Sequence, residues 1–150
     1  MDAIDRKILA VVQQDASLSV AEIGQRVGLS STPCWKRLQR LEADGVIQRR
    51  VAIVDAEKIG LGVTVFVSIE TGDHSNDWLA RFADTVEAMP EVMEFYRMAG
   101  DVDYMLRVVV PDLAAYEKFL KQKLTQVPGV ASIESSFALD QIKYSISLPL

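Results

Sequence analysis

One face of a predicted helix in the N-terminal third of the chain carries side chains suited to recognising nucleic acid. Cys34, Leu38 and Leu41 have the three- and four-residue spacing of a buried helical stripe. The side chains between them should point outward, and they are Ser31, Thr32, Trp35, Lys36, Gln39 and Arg40. Hydroxyl, amide and basic groups reach phosphates and base edges, and an exposed indole on a soluble protein indicates a binding surface. The set predicts a helix that contacts double-stranded DNA.

Basic residues are concentrated in the same region. The formal net charge is −5, but the first 50 residues carry eight Lys or Arg against six Asp or Glu, a net +2, and the remainder carries −7. The bases between positions 36 and 50 are Lys36, Arg37, Arg40, Arg49 and Arg50. A local basic stretch, rather than the whole-chain charge, is typical of a DNA reader. Arg37, Arg49 and Arg50 are therefore added to the predicted DNA contacts.

Helix-capping and helix-ending residues predict two further helices before this one in the sequence. Asp2 can cap a first helix, and Ser19 with Glu22 forms the capping box of a second helix that Gly28 ends. Ser30 opens the third helix. A short helix, a glycine-containing turn and a longer helix form the helix–turn–helix layout, whose second helix enters the major groove. A merely solvated polar face is the alternative, but the capping box, the turn and the basic helix together favour DNA binding.

The rest of the sequence alternates between strand and helix patterns. After an extended arm over 46–54, strands are predicted over 63–69, 92–98, 104–110 and 133–139, with helices over 77–89 and from Asp112 onward. The second of these helices should bury Leu113, Tyr116, Leu120, Leu124 and Val127. The alternating tail over 142–148 could form a fifth strand exchanged with a partner. The order β-α-β-β-α-β predicts a ferredoxin-like unit, and its apolar open sheet face predicts a homodimer.

Five segments also match a known family in order and spacing. They are residues 2–9 (DAIDRKIL), 29–42 (LSSTPCWKRLQRLE), 45–47 (GVI), 99–104 (AGDVDY) and 147–150 (SLPL). Through them the sequence resembles the Lrp/AsnC, or feast/famine, transcriptional regulators of bacteria and archaea over essentially its full length. The fold expected is α+β, with a helix–turn–helix domain over 1–45, a linker arm over 46–61 and a ferredoxin-like effector-binding and oligomerisation domain over 62–150. The resemblance implies a dimer that assembles further, to an octamer or a related ring.

The resemblance also implies an amino-acid effector bound between subunits. The family's pocket is built around the turn that matches Gly100, Asp101, Val102, Asp103 and Tyr104. The backbone N–H of Gly100 can meet a carboxylate, and Asp103 can pair with an ammonium group. Further expected lining residues are Met98, Ser135 and Ser136.

The identity of the effector stays open at this point. Val102 stands where family members often carry an aromatic residue, which leaves the pocket size undecided. Residues 32–37 resemble a branch linked to sulfur amino acids, so the expected effectors are cysteine, methionine or leucine. Taken without the family, the segment 100–104 is an ordinary hairpin turn, because Gly and Asp favour turns.

Single cysteine and histidine residues limit the other chemistry. Cys34 has no partner for an internal disulfide, and with His74 it leaves too few ligands for a metal site. Cys34 can be a small apolar residue of the core. Alternatively, it can be a redox-sensitive thiol whose pKa is lowered by a helix N-terminus and nearby basic residues. His74 lies in a polar loop segment and is expected to be solvated.

Three function classes are compatible with these features. Besides an effector-responsive regulator, an enzyme is possible because ferredoxin-like domains host catalysis, but no catalytic motif or cofactor site stands out. An architectural DNA compactor without an effector is the third. No apolar run approaches the roughly 18–20 residues that span a bilayer, and the acidic N-terminus is unlike a signal peptide. A cytoplasmic protein with no membrane partner is expected.

Overall fold

The computed structural model describes residues 1–150, which divide into two compact units. The first unit contains residues 1–53 together with 142–150, and the second contains residues 54–141. The first unit therefore combines the helix–turn–helix segment with the tail of the chain, which the sequence analysis placed in the C-terminal domain.

Three helices form the body of the first unit: α1 (Ala3–Gln14), α2 (Val20–Val27) and α3 (Ser31–Ala43). Asp2 caps α1, because its Oδ1 accepts hydrogen bonds from the N–H groups of Ile4 and Asp5, each at 2.9 Å. Capping of this kind satisfies N–H groups that have no partner within the helix.

The boundaries of α2 and α3 follow from local chemistry. Ser19 and Glu22 form a capping box at the start of α2, and Gly28 ends α2 in the left-handed conformation with φ of 77°. Ser30 precedes α3, although its side chain makes no capping hydrogen bond. The predicted starts of all three helices and the Gly28 stop are confirmed.

Gly24 lets the turn after α2 fold back closely onto that helix. A Cβ atom at Gly24 would lie 2.6 Å from the carbonyl oxygen of Leu29. The N–H of Leu29 donates to the carbonyl of Gly24 at 2.8 Å, so the close approach is part of the turn itself. Beneath it, Ile8, Ile23 and Cys34 are at most 1% exposed and belong to a single apolar core.

Residues 46–54 of the arm and residues 142–150 of the tail have no regular secondary structure, while a single 3₁₀ turn spans Glu57–Ile59. Residues 142–148 thus form no strand within this chain, and a strand exchanged with a partner stays a prediction. The tail instead satisfies its backbone on α1: the N–H of Leu148 donates to Gln13 Oε1 at 2.7 Å, and Gln13 Nε2 donates to the carbonyl of Leu148 at 3.3 Å. A side-chain amide thus supplies the donor and acceptor that a neighbouring strand would otherwise provide.

The second unit is a four-stranded antiparallel sheet with two helices. Its elements are β1 (Val63–Thr71), α4 (Asn76–Glu87), β2 (Val92–Arg97), β3 (Tyr104–Val110), α5 (Leu113–Gln122) and β4 (Val130–Phe137). The strand order is β2-β3-β1-β4, with every neighbouring pair antiparallel. This is the ferredoxin-like arrangement that the element order predicted.

Alternation along the strands separates two faces of the sheet. Val65, Val67 and Ile69 of β1 are fully buried and share a core with residues of both helices, such as Phe82 and Tyr116. Residues at the intervening positions of β1 and β4 lie on the opposite face, which no helix of this unit covers.

Two details of α5 and β4 differ from the prediction. Leu113 is 64% exposed, because it is the first residue of α5 and the buried face is formed by Tyr116 and Phe119 instead. The fourth strand spans Val130–Phe137 rather than 133–139. It begins directly after Gly129, whose φ of 84° makes the preceding turn possible.

Candidate functional site

The exposed face of α3 carries most of the predicted DNA contacts. Trp35 is 51% exposed, although an indole is costly to leave in water. The other exposed side chains that make no hydrogen bond or ion pair within the chain are Ser31, Thr32, Lys36 and Gln39. These groups are free to meet a phosphate or a base edge.

The two arginines of α3 are held by α1, a connection that the sequence analysis did not predict. Arg37 Nη1 lies 2.7 Å from both Asp2 Oδ2 and Asp5 Oδ1, and Arg40 Nη2 lies 2.7 Å from Asp5 Oδ2. Only Arg40 keeps a largely exposed side chain, whereas Arg37 is 25% exposed. The Arg37 guanidinium is shared between two carboxylates, and its predicted contact with DNA stays a prediction.

The arm beyond α3 holds the last two predicted DNA contacts. Arg50 Nη2 is paired with Glu42 Oε1 at 2.8 Å, and both side chains are partly exposed. Arg49 is exposed and has no ion pair. An exposed pair of this kind contributes little stability, so Arg50 can exchange Glu42 for a phosphate at low cost.

Hydrogen bonds fix the charge of the two acids. The pKa of Asp2 is lowered to about 2, mainly by the N–H of Asp5 and then by the Arg37 guanidinium. Burial on its own would raise the pKa of Asp5, but hydrogen bonds from the Asp2 N–H and from Arg37 outweigh it and the pKa is lowered. Both carboxyls are therefore ionised at neutral pH, and the cluster they form with Arg37 and Arg40 carries no net charge.

Cys34 is a core residue of this unit. Its side chain is completely buried, and that burial raises the pKa of the thiol. A raised pKa leaves little thiolate at neutral pH, and the thiolate is the reactive form. The structure favours the core role of Cys34 over the redox role.

The turn between β2 and β3 places a carboxylate in a fixed position. Gly100 adopts φ of 138°, and the N–H of Met98 donates to the carbonyl of Asp103 at 2.8 Å to close the turn. Asp103 Oδ2 accepts the backbone N–H of Thr71 at 2.9 Å. Asp103 Oδ1 has one basic side chain within 4 Å, His74, whose Nδ1 lies at 3.9 Å.

Thr71 connects this turn to the loop that follows β1. It is a buried polar residue, and its Oγ1 lies 2.9 Å from the carbonyl of Gly129 and accepts the N–H of Asp73 at 3.0 Å. The same arrangement brings His74 beside Asp103. His74 is 66% exposed, as expected for a solvated loop residue, but it has a carboxylate neighbour that the sequence did not indicate.

The remaining predicted effector residues divide into two groups. Asp101 and Met98 are exposed on or beside the turn, and Val102 is half-buried within it. The side chains of Tyr104 and Ser135 instead make contacts on the helix-covered side of the sheet. Tyr104 is 3% exposed in an aromatic cluster with Trp78 and Phe82, because β3 alternates inward at that position.

Ser135 and Ser136 lie on opposite faces of β4. The hydroxyl of Ser135 is hydrogen-bonded to that of Tyr116 on the helix-covered face. Ser136 pairs with Phe66 across the ladder and so lies on the open face. Tyr104 and Ser135 therefore belong to the core and its edge rather than to the surface of the turn, since consecutive strand residues alternate between faces.

Two family models match this chain. Residues 64–148 match the family model described as the Lrp/AsnC ligand binding domain, which is more than half of the chain. The chain belongs to the Lrp/AsnC family. Residues 1–48 of this family member also match a winged helix-turn-helix DNA-binding model.

Curated relatives of this Lrp/AsnC protein are transcriptional regulators. The chain is 52% identical over 150 residues to the DNA-binding transcriptional activator DecR of Escherichia coli (strain K12), covering 100% of this chain and 99% of the relative. It is 37% identical over 145 residues to the leucine-responsive regulatory protein of the same strain, covering 97% and 88%. The protein is accordingly a DNA-binding transcriptional regulator.

Solved structures of the Lrp/AsnC family share the same fold. An AsnC family transcriptional regulator from Agrobacterium tumefaciens has a TM-score of 0.95 at 55% identity, covering 99% of this chain and 97% of its own. A transcriptional regulator from Neisseria meningitidis, in complex with L-Met, has a TM-score of 0.94 at 34% identity, covering 99% and 96%. None of the helices of this Lrp/AsnC protein is long and apolar enough to cross a membrane.

Proposed function

We propose that this regulator is controlled by a small amino acid bound at the turn between β2 and β3. The observation that carries the proposal is the set of contacts made by the two carboxylate oxygens of Asp103. One oxygen of its carboxylate is fixed by the N–H of Thr71, and the other faces a loop with only His74 at 3.9 Å. A carboxylate oriented in this way is prepared to accept an ammonium group without losing further conformational freedom.

The surroundings of Asp103 favour a zwitterion with an apolar side chain. Gly100 is exposed and its N–H donates to no group within the chain, so it is available to a ligand carboxylate. Met98 and Val102 supply apolar surface beside these two polar groups. Cysteine, methionine and leucine fit this chemistry, and the L-Met complex of the Neisseria meningitidis relative supports the same class.

The open face of the sheet supports self-association. On this face Phe66 is 39% exposed and Tyr96 is 51% exposed. Apolar side chains grouped on one sheet face are typical of an interface, so we propose a homodimer formed sheet against sheet, with further assembly to an octamer. Effector binding between subunits would then change DNA affinity by favouring one assembly over another.

On the DNA side, we propose that α3 is the reading helix. Its free groups at Ser31, Thr32, Lys36 and Gln39 are of the types that contact base edges and phosphates, and Trp35 adds an exposed ring. Arg49 extends the basic surface into the arm. Because its target is chromosomal DNA, the proposed location of the protein is the cytoplasm of its cell.

A binding titration tests the effector site. Fluorescence anisotropy is measured with the DNA upstream of the protein's own gene, against competitor DNA, with and without cysteine, methionine or leucine. We expect one or more of these to shift the affinity of the wild-type protein and to have no effect on Asp103→Asn. The asparagine keeps an acceptor for the Thr71 N–H while losing the charge, so DNA binding without effector should be preserved.

Asp84→Asn is the matched control, because Asp84 is exposed on α4 and its side chain makes no hydrogen bond or ion pair within the chain. This variant should respond like the wild type. An unchanged response in Asp103→Asn would exclude Asp103 as the ammonium partner. Binding with no preference over competitor DNA would instead indicate an architectural DNA-compacting protein.

A further inference from the structure

Asp5 is a buried acid at the junction of α1 and α3. Its side chain is 1% exposed, and its carboxylate accepts three hydrogen bonds. Oδ1 accepts from Arg37 Nη1 at 2.7 Å, while Oδ2 accepts from Arg40 Nη2 at 2.7 Å and from the N–H of Asp2 at 2.8 Å. Burying a charge is costly unless it is paired in this way, and here both pairing side chains come from α3.

The two arginines differ in what they leave available. Arg37 Nη1 is shared between the carboxylates of Asp5 and Asp2, and its side chain is 25% exposed. Arg40 commits one amino group to Asp5, and its side chain is 52% exposed. A guanidinium has five N–H donors in a fixed fork. Arg40 therefore retains donors on a half-exposed side chain, whereas Arg37 Nη1 is shared between two carboxylates.

We propose that Asp5 is a positioning residue for DNA binding, which holds Arg40 as an oriented phosphate contact and withholds Arg37 from the DNA. In the complex, the Arg40 guanidinium would bridge the Asp5 carboxylate and a DNA phosphate. A phosphate contact made by a fixed group sets the register of the protein on the duplex. A released Arg37 would add attraction that is independent of sequence.

This inference rests on the proposal that α3 is the reading helix. The salt dependence of DNA binding distinguishes a failure of that proposal from a failure of the role of Asp5. The logarithm of the binding constant falls linearly with the logarithm of salt concentration, with a slope of about 0.9 per phosphate neutralised on duplex DNA. Arg40→Gln should reduce the steepness of this slope by about 0.9, because one phosphate contact is lost. Arg37→Gln should leave the slope at the wild-type value.

Asp5→Asn gives a result that loss of structure alone would not produce. With a neutral amide at position 5, Arg37 keeps only its pair with Asp2, whose side chain is 55% exposed. An exposed ion pair contributes little and a phosphate can replace it, so the slope should become steeper by up to about 0.9 as one more phosphate is neutralised. Affinity for competitor DNA should rise, and the ratio of specific to non-specific affinity should fall. In the double variant Asp5→Asn/Arg37→Gln the slope should return to the wild-type value.

Asp44→Asn is the charge control, because Asp44 caps the C-terminus of α3, is exposed and has no ion pair. It removes one negative charge from the same unit without releasing an arginine, and it should not change the slope. Thermal unfolding followed by circular dichroism establishes that each variant is folded at the assay temperature. If Asp5→Asn does not fold, the comparison of Arg40→Gln with Arg37→Gln still tests the outcome that the pairing predicts, namely that Arg40 neutralises a phosphate and Arg37 does not.

Two outcomes overturn the inference. One is an unchanged slope in Arg40→Gln, and the other is a slope in folded Asp5→Asn that is no steeper than that of the wild type. Lys36→Gln identifies the failure of the underlying proposal. If it also leaves affinity and slope unaltered, α3 is not the reading helix; if it reduces both while Arg40→Gln does not, only the role of Asp5 is refuted.

Discussion

Replacing Gly24 with alanine should destabilise the helix–turn–helix unit, although alanine is the better helix former. The helical preference of alanine contributes about 1 kcal/mol in favour of the variant. Against it, the new Cβ would lie 2.6 Å from the carbonyl oxygen of Leu29, a backbone atom that cannot rotate away. Overpacking of this kind costs about 1–3 kcal/mol.

The same clash strains the hydrogen bond from the Leu29 N–H to the Gly24 carbonyl, which is 2.8 Å long. Loss of that bond costs about 1 kcal/mol. We expect a net destabilisation of about 2 kcal/mol, which for a unit of this size lowers the melting temperature by roughly 8–16 °C. The turn must also shift to relieve the contact, so α3 moves relative to α2 and DNA affinity falls.

Thermal unfolding followed by circular dichroism at 222 nm measures the effect, with protein concentration held constant because association raises apparent stability. Gln25→Ala is the control, since Gln25 is the next residue of α2 and is exposed. It should melt within a few degrees of the wild type. A Gly24→Ala variant that melts as high as Gln25→Ala would refute the argument that the close approach requires glycine.

Three further predictions concern acid stability, the second core and the thiol. The pKa values of Asp2 and Asp5 are lower in the folded protein, so the stability from their ion pairs is complete above about pH 4. It is lost as the pH falls toward the folded pKa of about 2 for Asp2. Acid unfolding of Asp5→Asn should therefore show a flatter dependence of stability on pH than the wild type, and an identical dependence would contradict this. Gly129→Ala should destabilise the second unit by at least about 2 kcal/mol, measured by urea unfolding. The added Cβ would lie 2.3 Å from Trp78 Nε1, and the residue would have to keep a φ of 84°. Unchanged unfolding would show that the indole can move. Cys34 should react with a thiol reagent only on unfolding, because burial raises its pKa; rapid reaction under native conditions would restore the redox role.

The helix boundaries of the first unit could be predicted because their signals are local. Asp2, Ser19 and Gly28 act on backbone groups within a few residues, and the structure places them at the ends of helices as expected. The ferredoxin-like order of the second unit was also predictable, because strand and helix periods alternate along the chain and few topologies connect them.

The parts that could not be predicted depend on contacts between distant residues. Asp5 and Arg40 are 35 positions apart, and no spacing in either segment indicates that they pair. Thr71 and Asp103 are 32 positions apart and meet only because β1 and β3 are neighbours in the sheet. Tyr104 is the last residue of the matched segment 100–104, but it is also the first residue of β3. Its position in the strand directs its ring into the core, against Phe82.

The tail that hydrogen-bonds to Gln13 has a practical consequence for exchanging parts between regulators. Since residues 142–150 belong to the same compact unit as residues 1–53, the second unit is connected to the first at both of its ends. A hybrid protein designed with one crossover near residue 54 would combine a donor's tail with a recipient's α1 and lose the match between Gln13 and Leu148. Grafting a new sensor onto this reader is better done as an insertion, with crossovers near residues 54 and 141.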